Sequence, residues 1–301
     1  MYTSFLNDLS SILDSSAICC HANMAHYTSF KAGGHADILL FISDEQQLQT
    51  SLALLKSYHF PYMIIGNGTN LLVKDTGYPG ILIRFSNENI APAINDTIIE
   101  AHAGTSLSTL SQSAASAGLG GLEFLSGIPG TIGGAIYMNA GAYGGEIKDV
   151  LSHVQVLQPN GSKTTLPAEN LGFSYRTSLF QSNSNIILRA AFQTTFASPA
   201  SIYNKMNSFN ALRREKQPLD YPSAGSTFKR PPGHYAGQLI EQCGLKGRGV
   251  GGAKVSEKHA GFIINYNRAT AQDILDTIDM VSRAVLKTFD IQLEPEVQIL
   301  G

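Results

Sequence analysis

GLGGLEFLSGIPGTIGGAIYMNAGAYGGE, residues 118–146, decides how the chain is read. Nearly every second or third residue is Gly or Ala, so large side chains are too sparse for a core helix or a core strand. Glycine lets backbone amides come close to a ligand and tolerates positive φ. Successive free N–H groups in such a loop form a concave site for anions. Two readings follow: a cradle for the pyrophosphate of a dinucleotide cofactor, or tight turns in a seam of small residues. The length and density of the stretch favour the cradle.

Outward from this stretch the chain alternates strands and helices. Upstream, an amphipathic helix with Phe5, Leu6, Leu9, Ile12 and Leu13 is followed by a connector to about residue 25. Ile38–Ile42 reads as a buried strand. Ser43 and Gln46 have capping-box spacing ahead of a helix with Leu48, Leu52 and Leu55 on one face. The strand Tyr62–Ile65 runs straight into GNGTN, Gly66–Asn70, and α/β folds tend to bind ligands at such strand ends. Gly80–Phe85 and Thr97–Ala103 read as strands, and a helix from about Ser106 to Ala117 stops at Gly118. Downstream, Val150–Leu157 and Ser162–Leu166 flank Asn160-Gly161, a hairpin signal. Asn185–Phe196 reads as one long strand. Past a boundary near Ala197 come a helix from Pro199, a special loop SAGSTFKRPPG (223–233), a short helix Ala236–Cys243 and a strand Ala260–Asn265. The helix Thr270–Phe289 carries Ile274, Ile278, Val281, Val285 and Phe289 on one face, and Leu293–Leu300 is the last strand.

Composition excludes several classes. With 301 residues, 43% hydrophobic and 15% charged, the chain is an ordinary globular protein of two or three domains. A net charge of −2 gives no reason to expect nucleic acid or an acidic membrane surface as partner. No apolar run approaches a membrane span, and the N-terminus lacks a basic secretory n-region, so a cytoplasmic location is expected. Cys19, Cys20 and Cys243 form no CxxC pair, and the eight histidines have no metal-ligand spacing, so no metal is expected. Gly247–Gly252 matches GxGxxG, but it follows a helix where the dinucleotide fingerprint needs a strand. From Lys205 to Lys258 ten Lys/Arg face four acids, a local excess of six in a net-acidic chain. This suits an anionic small substrate such as a diphosphate, or equally a solvated basic face.

The motifs TSFKAGGHAD (28–37), IIGNGTNLLV (64–73), AGTSL (103–107), GLEFLSGIPGTIGGAIYMNAGAYGGE (121–146), SYRTS (174–178), QPLDYPSAGSTFKRPPGHYAGQLIEQCGLKG (217–247), SEKHAGFIIN (256–265) and LEPEVQILG (293–301) span almost the whole chain. In this order they resemble the UDP-N-acetylenolpyruvoylglucosamine reductase family of flavoenzymes, in its compact type II form. The fold class implied is α+β: a two-subdomain FAD-binding module of the vanillyl-alcohol-oxidase (PCMH) type, residues 1–84 and 85–196, plus a C-terminal substrate-binding domain, 197–301. The last strand, 293–301, would return to the active site. The reaction implied is reduction of UDP-N-acetylglucosamine enolpyruvate to UDP-N-acetylmuramate, a peptidoglycan precursor, with NADPH as reductant and FAD as carrier.

Carried over by motif, the resemblance makes Arg176, Ser226 and Glu296 catalytic. Flavin contacts are expected from Gly66, Asn67, Gly68, Thr69 and Asn70, from Gly127, Ile128, Pro129, Gly130 and Thr131, and from Gly133 and Gly134. Substrate contacts are expected from Tyr175, Arg213 and Lys229. Physical chemistry agrees with these roles. Hydride gain at the vinyl carbon leaves negative charge on C2 and its carboxylate, which a fixed guanidinium at Arg176 can stabilise. Ser226 can protonate C2, and Glu296, most usefully protonated, can hydrogen-bond the enolic carboxylate. By themselves the three residues also read as a surface arginine, a turn serine and an edge-strand carboxylate. The competing activity is an FAD-dependent sugar or alcohol oxidase of the same fold, with His102 as a covalent flavin anchor. A nucleotide-sugar binding protein without turnover is the third reading. The sequence leaves the oligomeric state open, with a monomer as the expectation.

Overall fold

Residues 2–86 and 90–301 are described in a computed structural model of the chain. The C-terminal helix, Ala271–Phe289, shows most plainly how the sequence pattern folds. Ile274, Ile278, Val281 and Val285 recur on one stripe and are buried, while Phe289 is half-buried. Thr270 caps it by accepting from Asp273 N, and the Asp273 carboxylate returns to Thr270 N, a full capping box. Asp75 reinforces the same end, accepting from Ala271 N at 2.9 Å and Gln272 N at 2.8 Å. Two of the first-turn N–H groups that no helix can satisfy internally are thereby paired.

Helix Ala271–Phe289 belongs to the second of two compact units, which comprises Cys20–Leu39, Asn67–Ile81 and Arg213–Gly301. Its core joins Phe30, Leu72, Phe228, Ile240 and Ile263 to the buried stripe of that helix. An antiparallel sheet of Gly249–Val250, Ala253–Val255 and Ile263–Asn265 lies in this unit, and Gln298–Leu300 pairs in parallel with Leu71–Val73. The GxGxxG stretch makes the tip of that sheet: Gly251 has φ +52°, and Gly252 N donates to Asp273.

The first unit comprises Met1–Cys19, Leu40–Gly66 and Leu82–Leu212. Its centre is an antiparallel sheet in the spatial order Lys163–Pro167, Leu151–Leu157, Ile186–Gln193, Ile98–His102, Ala93–Asn95. The expected hairpin around Asn160-Gly161 is its first pair, with Gly161 at φ +85°. Leu107–Ser116 forms the expected helix, capped by Ser106 and stopped at Gly118, φ +71°. Pro199 opens the helix Pro199–Lys216. A further sheet has the order Ile18–Asn23, His35–Ile42, Tyr78–Phe85, Tyr62–Ile65.

Several local expectations are corrected. The connector before residue 25 contains the strand Ile18–Asn23, in which ICCHAN shows no alternation. The helix expected after Ser43 is capped by Asp44, and the Ser43 hydroxyl and N–H both donate to Gln47 Oε1. The long strand 185–196 breaks at Thr194: Ile186–Gln193 stays in the large sheet, and Thr195–Phe196 pairs with Leu119–Gly120. The strand expected from Ala260 begins at Ile263, because Phe262 N and Gly261 N turn back to bond His259. Only Gln298–Leu300 of the last expected strand is regular. Pro295, without an N–H, makes an isolated bridge to Phe228 instead of continuing a ladder. The glycine stretch does contain a short core helix, Ile132–Tyr137, with Ile132 and Ile136 buried. A Cβ on Gly133 would stand 3.1 Å from Ala103 Cβ, so glycine there is what lets this helix press against Ala103.

Candidate active site

The glycine-rich loop is stapled to AGTSL. Gly133 N donates to Ala103 O at 2.8 Å, Ile132 N to Thr105 O at 3.0 Å, and Leu107 N to Gly130 O at 3.0 Å. Ser106 and Thr131 form an antiparallel bridge. Thr131, itself buried, caps the short helix through Gly134 N at 3.3 Å. Gly66 packs on this cap: a Cβ there would lie 2.6 Å from Thr131 Oγ1. The first unit therefore brings Gly66, Gly130, Thr131, Gly133 and Gly134 together, and Gly127, Ile128 and Pro129 reach solvent on the same loop. The Ser126 hydroxyl in this loop is buried with no hydrogen-bond partner among the described residues. A close-approach glycine together with an unsatisfied donor fits a bound polar cofactor.

Arg176 lies in the same unit, in an unusual backbone state. Ser174 and Thr177 exchange both backbone hydrogen bonds, at 3.2 and 3.1 Å, and Tyr175-Arg176 form the two-residue turn between them. Arg176 has φ +55°, which costs an L-residue about 1–2 kcal/mol relative to the right-handed region. The half-buried guanidinium reaches Gly141 O at 3.5 Å and lies 5.2 Å from the Tyr175 ring centre. Two residues absent from the sequence-based site frame this turn. Asn139, fully buried, donates to Ser174 O, and Gln181 donates to Arg176 O. The one signal in the sequence is an Asn inside a glycine-rich run, where Asn tolerates the left-handed region best among non-glycine residues.

The second unit holds Ser226 and Glu296. Gly225 has φ +77° with open space around it, so glycine is needed there for conformation. Thr227 N donates to Gly261 O, and Thr227 Oγ1 accepts from Ile263 N. On its other side Thr227 O accepts from Glu296 N at 2.8 Å, and Lys229 N donates to Glu294 O. The segment 226–229 is thus zipped to 294–296, so exposed Ser226 and half-buried Glu296 lie on paired segments. Glu296 Oε2 is buried. Asn70 ties the GNGTN loop to this pair, donating to Glu296 O at 3.0 Å and accepting from Gln298 N. Gly68 O accepts from Ser29 N of the TSFKAGG motif. Of the expected phosphate ligands, Lys229 pairs with Glu294 at 3.2 Å, and Arg213 is 9% exposed.

His102, the alternative flavin anchor, ends the strand Ile98–His102 opposite Arg189. Burial, and then the Arg189 charge, push its pKa down against the opposing pull of Glu45 and Glu100. His35 stacks on His21 with ring centres 4.2 Å apart.

Comparison with known proteins decides the family. Residues 217–300 match the model of the UDP-N-acetylenolpyruvoylglucosamine reductase C-terminal domain, and residues 36–166 match an FAD binding domain. The UDP-N-acetylenolpyruvoylglucosamine reductase of Caldanaerobacter subterraneus subsp. tengcongensis is 47% identical over 297 residues, 98% of each chain. The chain belongs to the UDP-N-acetylenolpyruvoylglucosamine reductase family. A Clostridium botulinum family member is 44% identical across all of this chain and 98% of its own. The crystal structure of the Thermus caldophilus member superposes with a TM-score of 0.78 at 35% identity, covering 94% of this chain and 98% of that one. An alkyldihydroxyacetonephosphate synthase shares the fold over 65% of this chain and 41% of its own, with a TM-score of 0.51 at 14% identity. The fold class is that of the family: an α+β chain built from an FAD-binding domain and the family's C-terminal domain. No helix among the described residues is long and apolar enough to cross a membrane.

Proposed function

We propose that this chain reduces UDP-N-acetylglucosamine enolpyruvate to UDP-N-acetylmuramate for peptidoglycan synthesis, in the cytoplasm, with NADPH as reductant. FAD, when bound, supplies the two-electron relay between the two. Residues 66–70, 127–131 and 133–134 are the flavin-binding set in this reading. Residues 1–84 and 85–196 form the flavin module, and 197–301 form the substrate domain. Tyr175, Arg213 and Lys229 hold the nucleotide sugar; Lys229 exchanges its exposed Glu294 partner for phosphate, which is easy because surface ion pairs are weak.

The chain's own residues divide the work on the enolpyruvyl group. Hydride gain at the vinyl carbon puts negative charge on C2 and the adjoining carboxylate, and the Arg176 guanidinium stabilises it. Ser226 Oγ–H gives its proton to C2, and Glu296 holds the carboxylate. The observation that supports this reading is the Thr227–Glu296 backbone hydrogen bond, which pairs the segment carrying an exposed hydroxyl with the segment carrying a carboxyl with a buried oxygen. The test separates the half-reactions anaerobically. Ser226→Ala keeps flavin reduction by NADPH and slows reoxidation by substrate on the order of a hundredfold or more. Equal damage to both halves would show that Ser226 is structural.

A further inference from the structure

Three of the nine non-glycine residues with positive φ among the described residues fall in one hydrogen-bonded patch: Asn139 at +41°, Tyr143 at +52° and Arg176 at +55°. Residues held in such states persist only where their surroundings over-determine them, and they cluster at functional sites. Asn139 is fully buried and both polar atoms of its side chain are engaged. Its Nδ2 donates to Ser174 O at 3.0 Å and to Glu146 Oε2 at 3.1 Å, and its Oδ1 accepts from Lys148 N at 3.0 Å. At the other end of the turn, Gln181 Nε2 donates to Arg176 O at 3.0 Å and to Tyr137 O at 2.9 Å. Ser178 Oγ donates to the same Tyr137 O. The carbonyls of Ser174 and Arg176, on both sides of the strained φ, are thus each held by a side-chain amide. Both amides tie back to the segment 137–148, whose Gly141 O receives the guanidinium.

We propose that Asn139 and Gln181 are positioning residues for Arg176. They clamp the turn 174–177 so that the guanidinium stays aimed, and they act through it without touching the reacting atoms. This rests on the reading that Arg176 stabilises the charge developing on substrate. A loosened clamp leaves the arginine present but free to swing, and misplacement by about an ångström can slow a reaction on the order of a hundredfold.

The informative variant is Gln181→Leu, because Gln181 is exposed and its loss spares the core. Asn139→Asp is the second: it keeps the volume but gives up the donor to Ser174 O. Each is made alone and with Arg176→Ala in FAD-loaded enzyme, and both half-reactions are followed by stopped flow. We expect reoxidation by UDP-N-acetylglucosamine enolpyruvate to slow roughly tenfold or more in Gln181→Leu, with reduction by NADPH within about twofold of wild type. In the Arg176→Ala background, neither clamp variant slows reoxidation further. A Gln181→Leu enzyme that reoxidises at the wild-type rate overturns the proposal. So does a Gln181→Leu effect that persists after Arg176 is gone; with Arg176→Ala itself slow, the clamp alone then fails. Unchanged reoxidation in Arg176→Ala removes the reading of Arg176 and the clamp with it.

Discussion

Gly66→Ala tests the packing of the candidate flavin loop most sharply. The added methyl would stand 2.6 Å from Thr131 Oγ1, inside the 3.0 Å that real Cβ atoms respect, while Thr131 Cβ and Cγ2, at 3.7 and 3.8 Å, are in ordinary contact. One atom therefore objects. Gly66 is not among the glycines with positive φ, so the backbone itself tolerates alanine. To make room, the Thr131 hydroxyl must leave the helix cap. Losing the cap on Gly134 N costs about 0.5–2 kcal/mol. Turning a buried hydroxyl away from its partner adds about 1–3 kcal/mol. The two terms overlap, because the same hydrogen bond is lost in both, and we expect about 2–3 kcal/mol for the whole.

A double-mutant cycle isolates that contact. Urea unfolding should show Gly66→Ala destabilised by about 2–3 kcal/mol and Thr131→Ala by about 1 kcal/mol. With Thr131 already alanine, Gly66→Ala should add less than about 0.5 kcal/mol, since the obstructing oxygen is gone. Flavin fluorescence titration should follow the same order, with the Gly66→Ala protein the weakest binder. An equal penalty for Gly66→Ala in both backgrounds would refute the reasoning, because the obstruction would then lie elsewhere.

The strained turn makes a second prediction: Arg176→Gly should unfold about 1 kcal/mol less readily than Arg176→Ala, although both lose the guanidinium, because glycine alone takes φ +55° without penalty. Equal stabilities would mean that the turn relaxes once the side chain is gone. A third concerns acid. The Asp273 carboxyl is held below its ordinary 3.8, first by the Gly252 N–H and, against an opposing contribution from burial, by the Thr270 N–H and hydroxyl. Its folded pKa is depressed, so its stabilisation is complete above about 3.8 and disappears as the pH falls through the lower folded value. The gap in urea midpoint between wild type and Asp273→Asn should therefore close below that pH, and parallel curves would contradict it.

What could be read from the sequence was local. The stripe of Ile274, Ile278, Val281 and Val285 needs no knowledge of its partner to announce a buried helix face, and Asn160-Gly161 names its own turn. Ile18–Asn23 failed because ICCHAN becomes a strand through its neighbour His35–Ile42, a pairing no local pattern encodes. The helix Ile132–Tyr137 failed for a related reason: its glycines look like helix breakers until Ala103 is placed against Gly133. At the candidate site, Arg176, Ser226 and Glu296 came from motifs carried by resemblance, and the roles proposed for them rest on the chemistry of each side chain. Asn139 was not legible, because its role is defined by Glu146, Lys148 and Ser174, the last of them 35 positions away.

The distribution of positive φ separates two kinds of position. At some positions that need only the left-handed region the chain uses glycine: Gly118 ends a helix, and Gly225 turns the backbone ahead of Ser226 with open space around it. Asn139, Tyr143 and Arg176 sit in the same region with side chains that glycine could not replace. Tyr143 and Gly144, both at positive φ, close the hairpin of Gly141–Ala142 with Gly145–Glu146, and the Tyr143 ring stacks on Phe209 at 4.7 Å and 4°. That stack fixes the tip of the hairpin whose Gly141 O meets the Arg176 guanidinium. Each of the three residues accepts a backbone strain of about 1–3 kcal/mol and gives in return a side chain aimed along one line of contacts. Retaining an amide, a ring and a guanidinium there makes sense if the last of them has to be held still.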